Sequence, residues 1–230
     1  QFDQKLSKHG GLSPDQKKAL HHITSSDQLS CIVGYAGAGK TTALEAAKEI
    51  WELDGYKVYG LAPTGRAAQN LSQSGISSQT LHKFLYSHKD GRCQYKANSI
   101  LILDEAGMVD TARFDEFLQA VDDLKVKAVI VGDGAQLQPV EAGPAFRLVT
   151  QKVGTSHLEK IVRQQEGWQQ EATKLFGTLE TTEALQKYHQ NGYVQFIEEK
   201  EIPLAEFIET RNHTKIVETY NLSRRMVGNI

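Results

Sequence analysis

Through the first two thirds of the chain, short apolar and β-branched runs alternate with segments whose apolar residues recur every three or four positions. That alternation predicts a parallel sheet covered by helices on both faces. The predicted strands are Leu29 to Gly34, Lys57 to Ala62, Ser99 to Leu103, Lys127 to Val131 and, with a less regular pattern, Ser156 to Val162. Between them, Thr41 to Leu53 is a run of good helix formers, and Phe114, Phe117, Leu118 and Val121 fall on one face of a second helix. Five strands joined by crossovers make an α/β domain. The polar stretch from Tyr86 to Asn98, with Asp90-Gly91 at its centre, reads as a short hairpin or loop. After about Glu166 the pattern changes to short helical stretches, Trp168 to Phe176, Thr182 to Gln190 and Lys215 to Val227, with one brief strand from Tyr193 to Ile197.

Composition narrows the classes of partner. The 230 residues are 40% hydrophobic, enough for one good core and a small appendage. Lys+Arg number 26 against 28 Asp+Glu, a net charge of -2, so any polyanion must be gripped by a local patch. Cys31 and Cys93 are isolated, which excludes a disulfide framework or zinc site and points to a reducing cytoplasm. No apolar stretch is long enough to span a membrane. The chain starts at Gln1 without a methionine, which implies excision from something longer.

The chemistry is concentrated at strand ends. Gly34-Tyr35-Ala36-Gly37-Ala38-Gly39-Lys40-Thr41 satisfies G-x-x-x-x-G-K-[ST] and lies between a strand and a helix, as a phosphate-binding loop must. Its backbone N–H groups, with those at Thr41 and Thr42, would line an anion cavity; Lys40 would reach the phosphates and the Thr41 hydroxyl would coordinate Mg²⁺. A nucleotide site also needs a carboxylate for the metal and a base for water, at the C-terminal end of a neighbouring strand. Asp104 and Glu105 follow the apolar run Ile100 to Leu103 and supply both. At a third strand end, in Gly132-Asp133-Gly134-Ala135-Gln136, the neutral amide of Gln136 suits a sensor of the terminal phosphate.

Together these blocks resemble superfamily 1 helicases of the RecD type, with the likeness running to the helicase region of TraA-type conjugative relaxases. The residues that carry it are LSPDQ (Leu12 to Gln16), the phosphate loop, LAPTGRAA (Leu61 to Ala68), SQTLHKFL (Ser78 to Leu85), LDEAGM, VGDGAQLQPVEAG, and LEKIVRQ followed by WQQEA. The resemblance spans Leu12 to Ala172. It implies a RecA-like P-loop domain over residues 1–166 and a helical extension over 167–230 that begins the connection to a second motor domain absent from this chain. Gln16, otherwise an unremarkable surface residue, would contact adenine; Lys40, Thr41, Asp104, Glu105 and Gln136 would hold Mg²⁺-ATP and its attacking water; Arg163 would reach the γ phosphate. Thr64, Arg66, Thr80 and His82 would contact single-stranded DNA, with the rings of His82, Phe84 and Tyr86 available for stacking.

One departure is Gly107, where many relatives carry a hydroxyl that links the ATP and DNA sites. The larger one is that nothing after Glu166 resembles the later motifs of a two-domain motor. The implied function is the first motor domain of a DNA helicase that belongs to a conjugative relaxase. The alternatives are a nucleotide-binding module without turnover and another P-loop enzyme; a GTPase is disfavoured because no N-K-x-D segment is present.

Overall fold

The computed structural model describes residues 11–35, 37–133, 145–158, 166–178 and 180–194. The chain divides into two compact units, residues 1–163 and 164–230. In the first, helix α1 (Pro14–Ile23) leads into β1 (Leu29–Gly34), α2 (Lys40–Leu53), β2 (Lys57–Ala62), α3 (Gly65–Gln73), β3 (Ser77–Thr80) and α4 (Leu81–Lys89). Then come β4 (Ser99–Leu103), a 3₁₀ turn (Ala106–Met108), α5 (Thr111–Leu124), β5 (Lys127–Gly132), α6 (Ala145–Val153) and β6 (Thr155–Leu158). The second unit contains α7 (Gly167–Gly177) and α8 (Thr181–Gln190), where Trp168 meets Tyr188 edge to face at 5.1 Å.

The six strands form one parallel sheet in the order β3-β2-β4-β5-β1-β6. Side chains alternate across a strand, so a strand covered on both faces must be apolar throughout. β4 meets this demand: Ile100 and Ile102 join the core under α1 and α2, while Leu101 and Leu103 join the core under α4, α5 and α6. Ile32, Val129 and Val131 extend the first layer, and Cys31, Ala128 and Ile130 the second. The consequence of the parallel arrangement is that every strand delivers its following loop to one edge of the sheet.

The structure adds β3, which the apolar pattern misses. Ser77-Ser78-Gln79-Thr80 is polar because this strand lies at the sheet edge and its side chains are exposed or half-buried. Gly60 lies opposite Ser78, where an added Cβ would come within 2.5 Å of the Leu71 side chain. No hairpin forms at 86–98: α4 continues to Lys89, and the rest is a loop pinned by Tyr95. The Tyr95 ring packs against Tyr59 and Phe84, and its hydroxyl accepts a 2.8 Å hydrogen bond from the Gln79 amide. β5 extends to Gly132, and β6 begins at Thr155 and is described to Leu158. Residues 159–162 of the predicted strand, 195–197 of the brief later one and the predicted helix Lys215 to Val227 lie outside the described residues.

Two further glycines are demanded by close approach. A Cβ on Gly34 would lie 2.8 Å from the Leu158 Cβ, and one on Gly132 would lie 2.6 Å from the buried Phe146 ring. Gly132→Ala is therefore expected to lower unfolding free energy by about 1–3 kcal/mol, the usual range for overpacking. Phe146→Leu in the same background should recover part of the loss. Urea denaturation checks both, and an unchanged midpoint in the single variant would contradict the packing assigned to this corner.

Candidate active site

The loop after β1 is shaped by glycine. Gly37 and Gly39 both have φ near +79°, in the left-handed region that side chains disfavour. Gly39 caps α2 without any side-chain hydrogen bond, and the first turn of that helix holds no acidic residue. An uncapped, unopposed helix N-terminus favours an anion. The Lys40 ammonium folds back onto its own loop, donating to the Gly34 carbonyl at 2.6 Å and the Tyr35 carbonyl at 3.2 Å. Thr41 and Thr42 are exposed, so both hydroxyls are accessible.

Gln16 is buried, at 4% exposure, which corrects its reading as a surface residue. Its side-chain oxygen accepts from the Ser13 N–H at 2.8 Å, while Ser13 Oγ accepts from the Gln16 N–H at 3.2 Å, a reciprocal cap on α1. The amide nitrogen donates to the Gly39 carbonyl at 3.2 Å. One side chain thus ends a helix and braces the phosphate loop.

At the end of β4, the Asp104 N–H donates to the Leu61 carbonyl of β2 at 2.9 Å, extending the ladder by one residue. The next peptide turns sharply: the Glu105 N–H donates to Asp104 Oδ1 at 2.9 Å, and Glu105 adopts φ 52°, ψ 37° before the 3₁₀ turn. Among the described residues only Glu105 and Lys125 are non-glycine residues with positive φ. The left-handed conformation costs about 1–2 kcal/mol for a side-chain-bearing residue.

Both carboxyls titrate above their ordinary range. Burial raises Asp104, opposed by the Glu105 N–H and the Lys40 ammonium. Burial also raises Glu105, with the charges of Asp104 and Asp133 adding to it and Lys40 opposing. Asp133, 8% exposed, ends β5 as Asp104 ends β4. It was not singled out as a site residue from the sequence, although its place after an apolar strand is the same signal. A Cβ on Gly107 would stand 3.6 Å from the Asp133 carbonyl, an ordinary contact, so sterics do not demand glycine there.

A second group of candidates lies on the other flank of the same edge. Thr64 and Thr80 cap α3 and α4, their hydroxyl oxygens accepting from the N–H groups of Ala67 at 3.2 Å and Lys83 at 3.3 Å. Ala62 pairs with Thr80 in the sheet, which brings these two helix starts together. Arg66 and His82 are exposed in the first turns of α3 and α4. Phe84 does not belong with them: it is fully buried against Phe117, because Leu81, Phe84 and Leu85 form the inward face of α4. Ala36, Gln136 and Arg163 lie outside the described residues.

Among the described residues no group of three or more His, Cys, Asp or Glu could hold a metal ion by itself. The exposed Thr41 hydroxyl and the Asp104 carboxylate nevertheless fit Mg²⁺, which commonly takes one or two protein ligands and completes its shell with phosphate oxygens and water. No described helix is long and apolar enough to cross a membrane.

Comparison with known proteins bears on the family and the fold. A probable conjugal transfer protein TraA of Sinorhizobium fredii is 39% identical over 188 residues, covering 81% of this chain but 17% of the relative. The ATP-dependent RecD2 DNA helicase of Deinococcus radiodurans is 31% identical over 159 residues, covering 67% of this chain and 22% of that protein. The chain therefore spans less than a quarter of the length of either relative. The solved structure of the Pif1 helicase from Candida albicans shares the fold, with a TM-score of 0.56 at 22% identity over 84% of this chain and 50% of that one. A family model described as an AAA domain matches residues 11–199. With these TraA and RecD2 proteins among its relatives, the chain belongs to that AAA domain family.

Proposed function

We propose that this chain binds Mg²⁺-ATP and single-stranded DNA as the first RecA-like motor domain of a conjugative helicase. The observation that carries the reading is the convergence of the loop ammonium, Lys40, on the half-buried carboxyls of Asp104 and Glu105, which follow the strand next but one in the sheet. In this reading residues 1–166 form the motor domain and residues 167–230 begin the connection to a second one.

The chain's own residues would act as follows. Lys40 exchanges the Gly34 and Tyr35 carbonyls for phosphate oxygens, and the amides at the start of α2 take up the remaining charge. Thr41 and Asp104 would hold Mg²⁺, which when bound offsets the charge of the phosphates. Glu105, placed by its left-handed backbone and with its proton affinity raised by burial, would accept a proton from the attacking water. Gln16 would sense adenine and, through Gly39, relay its presence to the loop. Gln136 and Arg163 complete the set by resemblance, with further arginines supplied by a second domain.

On the other flank, Thr64 and Thr80 accept cap bonds with their oxygens and keep their O–H groups for donation to DNA phosphates. Arg66 and His82 stand exposed beside them. A few loop groups of this kind are what a chain of net charge -2 can offer a polyanion.

Thermal melting and ATP turnover test the assignment. An ATP analogue with Mg²⁺ at 100 times its Kd should stabilise the wild type by about 2.7 kcal/mol, and Lys40→Ala should lose that stabilisation. Glu105→Gln should retain it while hydrolysis, measured with single-stranded DNA and in a longer chain carrying the second domain, falls by about 10²–10⁴-fold. Turnover indifferent to DNA at both lengths, or unaffected by Lys40→Ala, would sink the motor reading.

A second expectation separates chemistry from stability. Glu105→Gly relieves the left-handed backbone and removes a half-buried carboxyl, so it should raise unfolding free energy by about 1 kcal/mol while hydrolysis collapses. A destabilised variant would show that Glu105 is held there for packing.

A further inference from the structure

Between α4 and α5 lies an open cavity of about 520 Å³. His82, Tyr86 and Lys89 line it from α4, and Asp110, Arg113 and Glu116 from the start of α5. Tyr86 is 59% exposed, and the Arg92 guanidinium lies 5.7 Å from the centroid of its ring. Buried Leu85 contributes an apolar surface to the wall.

The charges in this wall are matched. Lys89 pairs with Glu116 at 2.7 Å, and Arg113 with Asp110 at 3.5 Å. A phosphate entering here would face two carboxylates that already balance the charge of the two cations. A neutral planar group with N–H donors and carbonyl or ring-nitrogen acceptors along its edge meets no such penalty: carboxylates accept from its donors, Arg113 and Lys89 donate to its acceptors, and the exposed Tyr86 ring offers a stacking face. A nucleobase has this chemistry, and the cavity has ample room for one.

Position supplies the strand. His82 is two residues from Thr80, whose hydroxyl and helix start form half of the phosphate grip, so the cavity opens beside that grip. We propose that the α4/α5 cavity is a base pocket, which takes a nucleobase of single-stranded DNA stacked on Tyr86 while the phosphates rest on the starts of α3 and α4. The proposal rests on the DNA-binding reading given above and adds a contact of a different physical kind, stacking in place of charge.

That difference makes it testable by fluorescence anisotropy with a labelled oligonucleotide at several salt concentrations, using the whole chain. Tyr86→Ala should weaken binding about tenfold with no change in the slope of log K against log salt, whereas Tyr86→Phe should bind like the wild type. Arg66→Ala should instead flatten the slope by about 0.7, the signature of one lost phosphate contact on a single strand. Scanning one abasic site along the oligonucleotide should find a position that costs the wild type about tenfold and Tyr86→Ala nothing. Wild-type binding with an Arg66-dependent slope, but indifferent to Tyr86→Ala and to every abasic position, overturns the base pocket alone. No binding by the wild type overturns the DNA-binding reading itself. Tyr86 is exposed, so unchanged melting of its variants verifies that the fold is intact.

Discussion

Among the described residues, one ammonium faces the two half-buried carboxyl groups at the C-terminal edge of the sheet. Lys40 opposes Asp104 and Glu105, and Asp133 adds its charge to theirs. Burial penalises each ionised carboxyl, and Lys40 spends its own hydrogen bonds on the carbonyls of Gly34 and Tyr35. Such a site is unfavourable for the chain alone and becomes favourable once cationic charge and phosphate oxygens enter it together. The strain in Glu105 adds to the same cost. Fold stability and readiness for the ligand are therefore set against each other at this point.

The sheet order is what makes this arrangement possible. β5 lies between β1, which carries the phosphate loop, and β4, which carries the carboxyl pair, so loop and carboxyls meet over the strand end that carries Asp133. The neighbour on the far side, β2, leads to Thr64, and its Leu61 carbonyl accepts from the Asp104 N–H. The nucleotide flank and the proposed DNA flank are thus joined by one backbone hydrogen bond, between the residue before Glu105 and a strand that ends two residues before Thr64. Tyr95 stiffens the outer border through Gln79, the residue preceding Thr80.

What could be read from the residues follows from burial. β1, β2, β4 and β5 are interior strands, and their apolar runs announce them; β3 is an edge strand whose serines and threonine carry no such signal. The phosphate loop is legible because its glycines and lysine have few other uses in that order. Glu105's left-handed backbone is not legible, since glutamate has no preference for it and the turn is imposed by the Asp104 carboxylate and the 3₁₀ segment that follows. Gln16 looks like a surface residue because glutamine usually is one; here its amide is consumed by a helix cap and a loop carbonyl. Rings along α4 sort by helical period: Phe84 falls inside with Leu81 and Leu85, while His82 and Tyr86 remain outside.

The central claim, that half-buried carboxyls at this edge burden the unliganded fold, is tested most directly by the stability of Asp104→Asn relative to wild type across pH. Asp104 titrates above its ordinary value of 3.8 in the folded chain, so the native state binds more protons and stability falls as pH rises through that interval. Below it the carboxyl is protonated in both states and imposes no charge penalty. The account predicts a stability advantage for Asp104→Asn that grows from the acid side of the interval and levels off above the raised value. Parallel curves, or an advantage that shrinks as pH rises, would contradict it.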